Sequence, residues 1–155
     1  TGYLMDLRPK NFVPFVSYLT GTNKFKSRQV MLKWCIDLCL AFKKLHEMGY
    51  SYQDLNDGSF FFDPDTGDLH ICDNDNVTAD KKNLGILGKM RYMAPEIVRG
   101  DVDPRTRERQ MPDVHSDRFS LAVITNSAYT GSGSHIFSTS VYSSGLTKLF
   151  HGIMK

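Results

Sequence analysis

Tyr52-Gln53-Asp54-Leu55-Asn56-Asp57-Gly58-Ser59 lies at the point where the hydrophobic period of the chain changes. Upstream, apolar residues recur at helical spacing. Downstream, they fall into short runs bounded by turn residues, as strands do. The octapeptide is therefore a polar loop joining a helix to a hairpin. Taken alone, Asp54 is a loop aspartate of the kind that bonds nearby backbone amides. Its flanks supply the further meaning.

The upstream helix opens at Ser27 and runs through Val30, Met31, Trp34, Leu38, Ala41, Phe42 and Leu45 to the neighbourhood of Gly49. Its apolar stripe is broad, so most of it should be buried. Lys43 and Lys44 near its end suit the helix dipole. Before it, Phe12, Phe15, Val16 and Leu19 are spaced for one helical face, which predicts a helix over 11–19 capped by Asn11. Tyr3–Leu7 reads as a short strand ended by Arg8-Pro9. After the loop, Phe60-Phe61-Phe62 and Leu69-His70-Ile71-Cys72 flank the turn-forming run Asp63–Asp68, which predicts a hairpin with two of the three phenylalanines in the core. Residues 73–91 read as irregular. A short helix is expected from Pro95, then a polar loop with Pro104 and Pro112. Ser116 reads as the cap of a helix through Phe119, Leu121 and Ile124.

Past Ile124 the composition shifts. About half of residues 125–155 are Ser, Thr or Gly and none is acidic. The segment reads either as a flexible natural tail or as a damaged end, such as a shifted reading frame. The second is preferred because the change falls inside an expected buried helix. The expected division is thus a partial domain over 1–124 and an atypical tail over 125–155.

At 155 residues the chain suffices for one domain, and a net charge of +2 gives no argument for nucleic acid or an anionic membrane. No apolar run is long enough to span a bilayer, and no signal segment stands at the N-terminus. Without an initiator Met, Thr1 is not expected to be the native start. Three cysteines with no framework of spacings fit a reducing compartment. Cys35 and Cys39 share one helical face; two small core residues are a better reading than a metal or redox pair.

Five elements in order then resemble one family. Ala41-x-x-x-Leu45-His46-x-x-Gly49 ends the long helix. Residues 52–59 stand where the family has H-R-D-L-x-x-x-N. Ile71-Cys72-Asp73-Asn74-Asp75 stands where it has D-F-G. Gly88-x-x-Arg91-Tyr92-Met93-Ala94-Pro95-Glu96 is similar to the end of an activation segment, and Ser116–Leu121 to the start of the central large-lobe helix. Over residues 3–124 the chain resembles a protein kinase from the hinge to the middle of its large lobe. The fold class this implies is α+β, a kinase-like, mainly helical C-terminal lobe with a small hairpin and without the N-lobe. The Asp-Asn-Asp form followed by Asn76 is similar to a divergent, bacterial-type serine/threonine branch.

The resemblance implies a role for each residue. Asp54 would orient the substrate hydroxyl and accept its proton. Asp73 would bind magnesium, with Asp75 as a second carboxylate or a plain turn residue. Ser59 takes the place of a metal-binding Asn; its shorter side chain predicts a weaker second metal site. Asn56 takes the place of a Lys and Lys89 that of a Thr, so Lys89 is expected to bring the positive charge near the γ-phosphate; a solvated surface lysine is the rival reading. Gln53 takes the place of the Arg that pairs with a phosphorylated segment, which makes such activation less expected. Met5, Asp6 and Leu7 would form the adenine hinge and Phe61 the floor under the ring. Asp117 would hold the catalytic loop by its amides. Glu96 would pair with a later arginine that is not recognisable here.

The implied cofactors are ATP and Mg2+. The implied partner is a protein substrate, with no nucleic acid and no membrane, in the cytoplasm. The expected activity is transfer of the ATP γ-phosphate to Ser or Thr. The alternative is a pseudokinase that binds without transfer, and a weaker one is a kinase of small molecules or lipids. Because the chain carries no G-x-G-x-x-G and no strand lysine, the fragment itself is expected to be inactive.

Overall fold

Ser27 sets the start of the longest helix. Its hydroxyl accepts the Val30 amide at 3.3 Å, and α2 (Arg28–Glu47) follows, after α1 (Phe15–Leu19). The computed structural model describes residues 7–80, 82 and 85–131. α2 closes as Gly49, at φ 80°, gives its amide to the His46 carbonyl, a conformation that suits a residue without Cβ. The inward face of α2 carries Met31, Trp34, Cys35, Leu38, Cys39 and Phe42. Burial pushes both thiols up to about 12, so Cys35 and Cys39 act as small apolar core residues.

The expected helix over 11–19 is shorter than its spacing predicts. Pro14 is extended, and β1 (Val13–Pro14) pairs with β3 (Phe60–Phe62), so only Phe15–Leu19 is helical. Asn11 does not cap α1; its side-chain amide donates to the Asp63 carboxylate. Of the strand expected over 3–7, only Leu7 is among the described residues.

β3 pairs antiparallel with β4 (Leu69–Ile71), giving a three-stranded sheet in the order β1-β3-β4. Asp63 organises the turn, its Oδ1 accepting the Asp65 and Thr66 amides at 2.8 and 3.3 Å. Gly67 is required there: at φ 71°, a Cβ would lie 2.4 Å from the Val30 carbonyl oxygen. Strand alternation sends Phe60 and Phe62 into the core and leaves Phe61 half-buried on the other face.

β2 (Tyr50–Ser51) pairs with β5 (Thr78–Ala79), which ties the segment after the hairpin back to the end of α2. A 3-10 turn over Asn74–Asn76 precedes β5. α3 (Pro95–Arg99) begins with Pro, whose missing N–H costs nothing at a helix start.

α4 (Val114–Thr130) is capped by Asp113 rather than by Ser116. Asp113 accepts the His115 and Ser116 amides, while the Ser116 hydroxyl accepts the Asp113 amide at 2.9 Å, a reciprocal capping box. The helix also passes Ile124 and continues to Thr130. Its small polar residues are accommodated: the Thr125 hydroxyl donates to the Leu121 carbonyl at 2.9 Å, and Ser127 and Ala128 are fully buried. The rest of the expected tail, residues 132–155, lies outside the described residues.

The core lies where α2 meets α4 and the sheet. Trp34 stacks on Phe15 with centroids 4.8 Å apart and meets Phe60 edge-on. Phe42, Leu38, Leu121 and Ile124 complete the contact, each almost wholly shielded from solvent. Each large apolar side chain so buried contributes on the order of 2 kcal/mol. This core fixes the relative positions of the loop at 52–59, the segment at 73–76 and α4.

Candidate active site

Asp117, in the first turn of α4, anchors the loop. Its Oδ2 accepts the Tyr52 amide at 2.6 Å and its Oδ1 the Gln53 amide at 2.9 Å, while His46 of α2 lies 3.1 Å from Oδ2. All three bonds fall on a carboxylate that is only 1% exposed, so the charge is removed from water and replaced by fixed donors. The backbone that follows is constrained: Gln53 sits at φ 69°, a region non-glycine residues seldom occupy.

Tyr52 joins this loop to the segment after β4. Its buried hydroxyl shares its single proton between the Cys72 and Asp73 carbonyls, the latter at 2.8 Å. Asp73 is itself left-handed, with φ 63° and ψ 50°. Gln53 makes a second connection, its Nε2 donating to Ser51 Oγ at 3.0 Å and to the Lys82 carbonyl at 3.2 Å. Two non-glycine residues in a sparsely populated conformation, each fixed by side-chain bonds, flank Asp54 in space. Such strain persists only where the surroundings enforce it, and it gathers at functional sites.

Asp54 lies half-buried between these anchors. Asn56 Nδ2 donates to its Oδ1 at 3.1 Å, and Asn76 Nδ2 approaches its Oδ2 at 3.4 Å. Asn56 Oδ1 in turn accepts the Gly58 amide at 2.9 Å. Burial pushes the Asp54 carboxyl up from its ordinary value and the Asp73 charge adds to this, against the Asn56 amide and the Lys89 charge. Gly88 packs directly on the carboxylate: at φ 108°, a Cβ there would stand 2.6 Å from Asp54 Oδ1.

Asp73 is exposed, and its charge acts on Asp54. Two carboxylates that repel each other across one site form a surface that a cation would stabilise. Among the described residues no three His, Cys, Asp or Glu side chains gather into a cage. An exposed carboxylate is the kind of hard oxygen ligand that magnesium takes, one or two at a time, together with phosphate and water. Asp73 would hold it. Ser59 is fully buried, and its hydroxyl faces the Asp54 carbonyl oxygen at 3.5 Å.

Lys89 pairs with Asp57 Oδ1 at 2.5 Å, while its own side chain stays 55% exposed. Its charge still acts on Asp54. Phe61 presents a face covered by Arg8, whose guanidinium carbon lies 4.5 Å from the ring centroid. Leu7 is 92% exposed; Met5 and Asp6 lie outside the described residues. Glu96 is half-buried in the first turn of α3, within electrostatic reach of Arg99. The structure thus brings Asp54, Asn56, Asp73, Ser59, Lys89 and Asp117 to one edge of the fold and leaves Glu96 apart, on α3. Asn76 and Gly88, read from the sequence only as members of motifs and given no role at the site, both meet Asp54. The positive φ at Gly88 was signalled by its residue type, while Asn76 served only to place the branch and its contact with Asp54 had no local signal.

The helices, the small antiparallel sheets and this loop constellation define a protein kinase domain. A sequence profile of that domain matches residues 7–153, and the chain belongs to the protein kinase family. It is 27% identical over 128 residues to the putative ribosomal protein S6 kinase alpha-1 of Caenorhabditis elegans, covering 75% of this chain and 15% of that protein. It is 30% identical over 95 residues to ribosomal protein S6 kinase alpha-6 of Danio rerio, covering 54% of this chain and 13% of that protein. The chain therefore spans a small part of the length of these relatives. Family membership carries ATP- and metal-dependent phosphoryl transfer to protein as its general chemistry. No helix among the described residues is long and apolar enough to cross a membrane.

Proposed function

We propose that the protein carrying this domain is a serine/threonine protein kinase that moves the γ-phosphate of ATP, held with Mg2+, to a side-chain hydroxyl. The observation that carries this reading is Asp54: a half-buried carboxylate held by Asn56 and Asn76, with the Asp73 carboxylate across the site. Asp54 orients the acceptor hydroxyl and takes its proton; Asp73 holds the metal. The raised Asp54 carboxyl favours proton acceptance in the transition state over a fully solvated aspartate. Lys89, whose charge reaches Asp54, supplies positive charge near the transferred phosphate and shares it with Asp57. Met5, Asp6 and Leu7 take the adenine edge, with Phe61 beneath the ring once Arg8 moves aside.

Asp73-Asn74-Asp75 supports a divergent, bacterial-type placement within the family. The three free thiols support a reducing, cytoplasmic setting.

One observation favours a pseudokinase instead. The Ser59 hydroxyl is turned inward onto the loop, which leaves Asp73 without a neutral oxygen partner from that position. The two readings separate in one assay on the protein expressed from its complete gene, with labelled ATP, Mg2+ and serine- or threonine-containing peptides. Transfer that Asp54→Asn abolishes is the expected result. Mg2+-dependent ATP binding without transfer would establish the pseudokinase, and absence of both would sink the two readings together.

A further inference from the structure

Asp54 receives one amide on each carboxylate oxygen, and the two amides come from different parts of the chain. Asn56 belongs to the same loop as Asp54. Asn76 closes the 3-10 turn that Asp73 opens from its left-handed conformation, a turn sealed where the Val77 amide donates to the Asn74 carbonyl at 3.1 Å. Only Asn74 and Asp75 therefore separate the carboxylate proposed to hold the metal from the amide that touches the proposed base. The Tyr52 hydroxyl fixes the start of that turn through the Asp73 carbonyl at 2.8 Å. A carboxylate with a single donor can still rotate about its Cβ–Cγ bond; donors on both oxygens fix its plane.

We propose that Asn76 is a positioning residue: it sets the plane of the Asp54 carboxylate and passes the conformation of the Asp73 turn to it. Its significance for catalysis rests on the kinase reading above; the contact itself does not. A neutral amide suits this position because a cation would hold the Asp54 proton affinity down, and a carboxylate would repel it. Asp and Asn are equally good at closing such turns, so a purely structural role would tolerate Asn76→Asp. The positioning role does not, because the new charge faces Asp54 Oδ2.

The test has two parts. In the protein from the complete gene, Asn76→Asp and Asn76→Ala should each lower kcat for peptide phosphorylation about tenfold or more, as expected when a reacting group loses its alignment. KM for ATP and the thermal midpoint should stay at wild-type values. Wild-type kcat in Asn76→Asp would overturn the proposal, as would a parallel fall in stability that accounts for the loss. In the 155-residue chain, the side-chain amide resonances of Asn76 should move on Asp54→Ala and stay put on Asp75→Ala. If the wild-type enzyme transfers no phosphate, the kinase reading fails while the contact is still judged by this spectrum. Asn76 resonances that ignore Asp54→Ala would overturn the contact.

Discussion

Asp117 and Tyr52 stand 65 positions apart, yet the carboxylate of one accepts the backbone amide of the other at 2.6 Å. The same carboxylate takes the Gln53 amide, so one side chain on α4 fixes the two residues that precede Asp54. Replacing it with Asp117→Ala leaves two buried N–H groups and His46 without their acceptor. The expected loss is about 3 kcal/mol of folding free energy, measured as a shift in urea midpoint. Asp117→Asn should recover only part of it, since one oxygen remains and an amide N–H then opposes a backbone N–H.

Tyr52→Phe removes one hydroxyl and almost no volume. It frees the Cys72 and Asp73 carbonyls, which should cost about 1 kcal/mol in chemical denaturation. The local effect should exceed the global one: amide hydrogens over 74–77 should exchange faster than those of α2 after the substitution, by hydrogen-exchange mass spectrometry. Equal protection in both proteins would show that the turn does not depend on this hydroxyl.

Gly88→Ala should separate activity from stability. A Cβ at 2.6 Å from Asp54 Oδ1, on a backbone at φ 108°, must displace either the carboxylate or the segment. Phosphotransfer in the full protein should fall by about a hundredfold. The urea midpoint should change far less, because Gly88 lies outside the core.

Cys35 and Cys39 lead to a prediction at high pH. Burial raises both thiols to about 12 from an ordinary 9.0. The unfolded chain therefore releases these protons at a lower pH than the folded one. Their contribution to stability is fully present below pH 9.0 and is lost as pH rises toward about 12. Folding free energy should decline across that window, and less steeply in a Cys35→Ala, Cys39→Ala variant. In native protein near neutral pH, alkylation read by mass spectrometry should find half-buried Cys72 first and the other two only on unfolding.

Much of this arrangement was legible in the sequence because it rests on local chemistry. Ser27 and the stripe from Val30 to Leu45 specify α2, and Asp63–Asp68 specifies the hairpin turn. Asp117 was placed opposite the loop amides on the resemblance, and its carboxylate lies there. Where the reading departed from the structure, a longer-range partner decided. Pro14 joins a strand because Phe61 is there to pair with it, and Asn11 serves Asp63 instead of a helix. α4 continues beyond Ile124 because Ser127 and Ala128 are small enough to be enclosed, which composition alone read as a break. Lys89 meets Asp57 and Asn76 meets Asp54 across gaps that no periodicity reveals.

Gln53 holds the Lys82 carbonyl with an amide, so neither member of that link carries a side-chain charge in the bond. Such a bond is indifferent to ionic strength and offers a phosphatase nothing to remove. The part of the chain that leads from Asp73 toward Gly88 is thus tied to the loop at Lys82 by a neutral bond. A charge-neutral amide at residue 53 is thus enough to hold the Lys82 backbone beside the loop that carries Asp54.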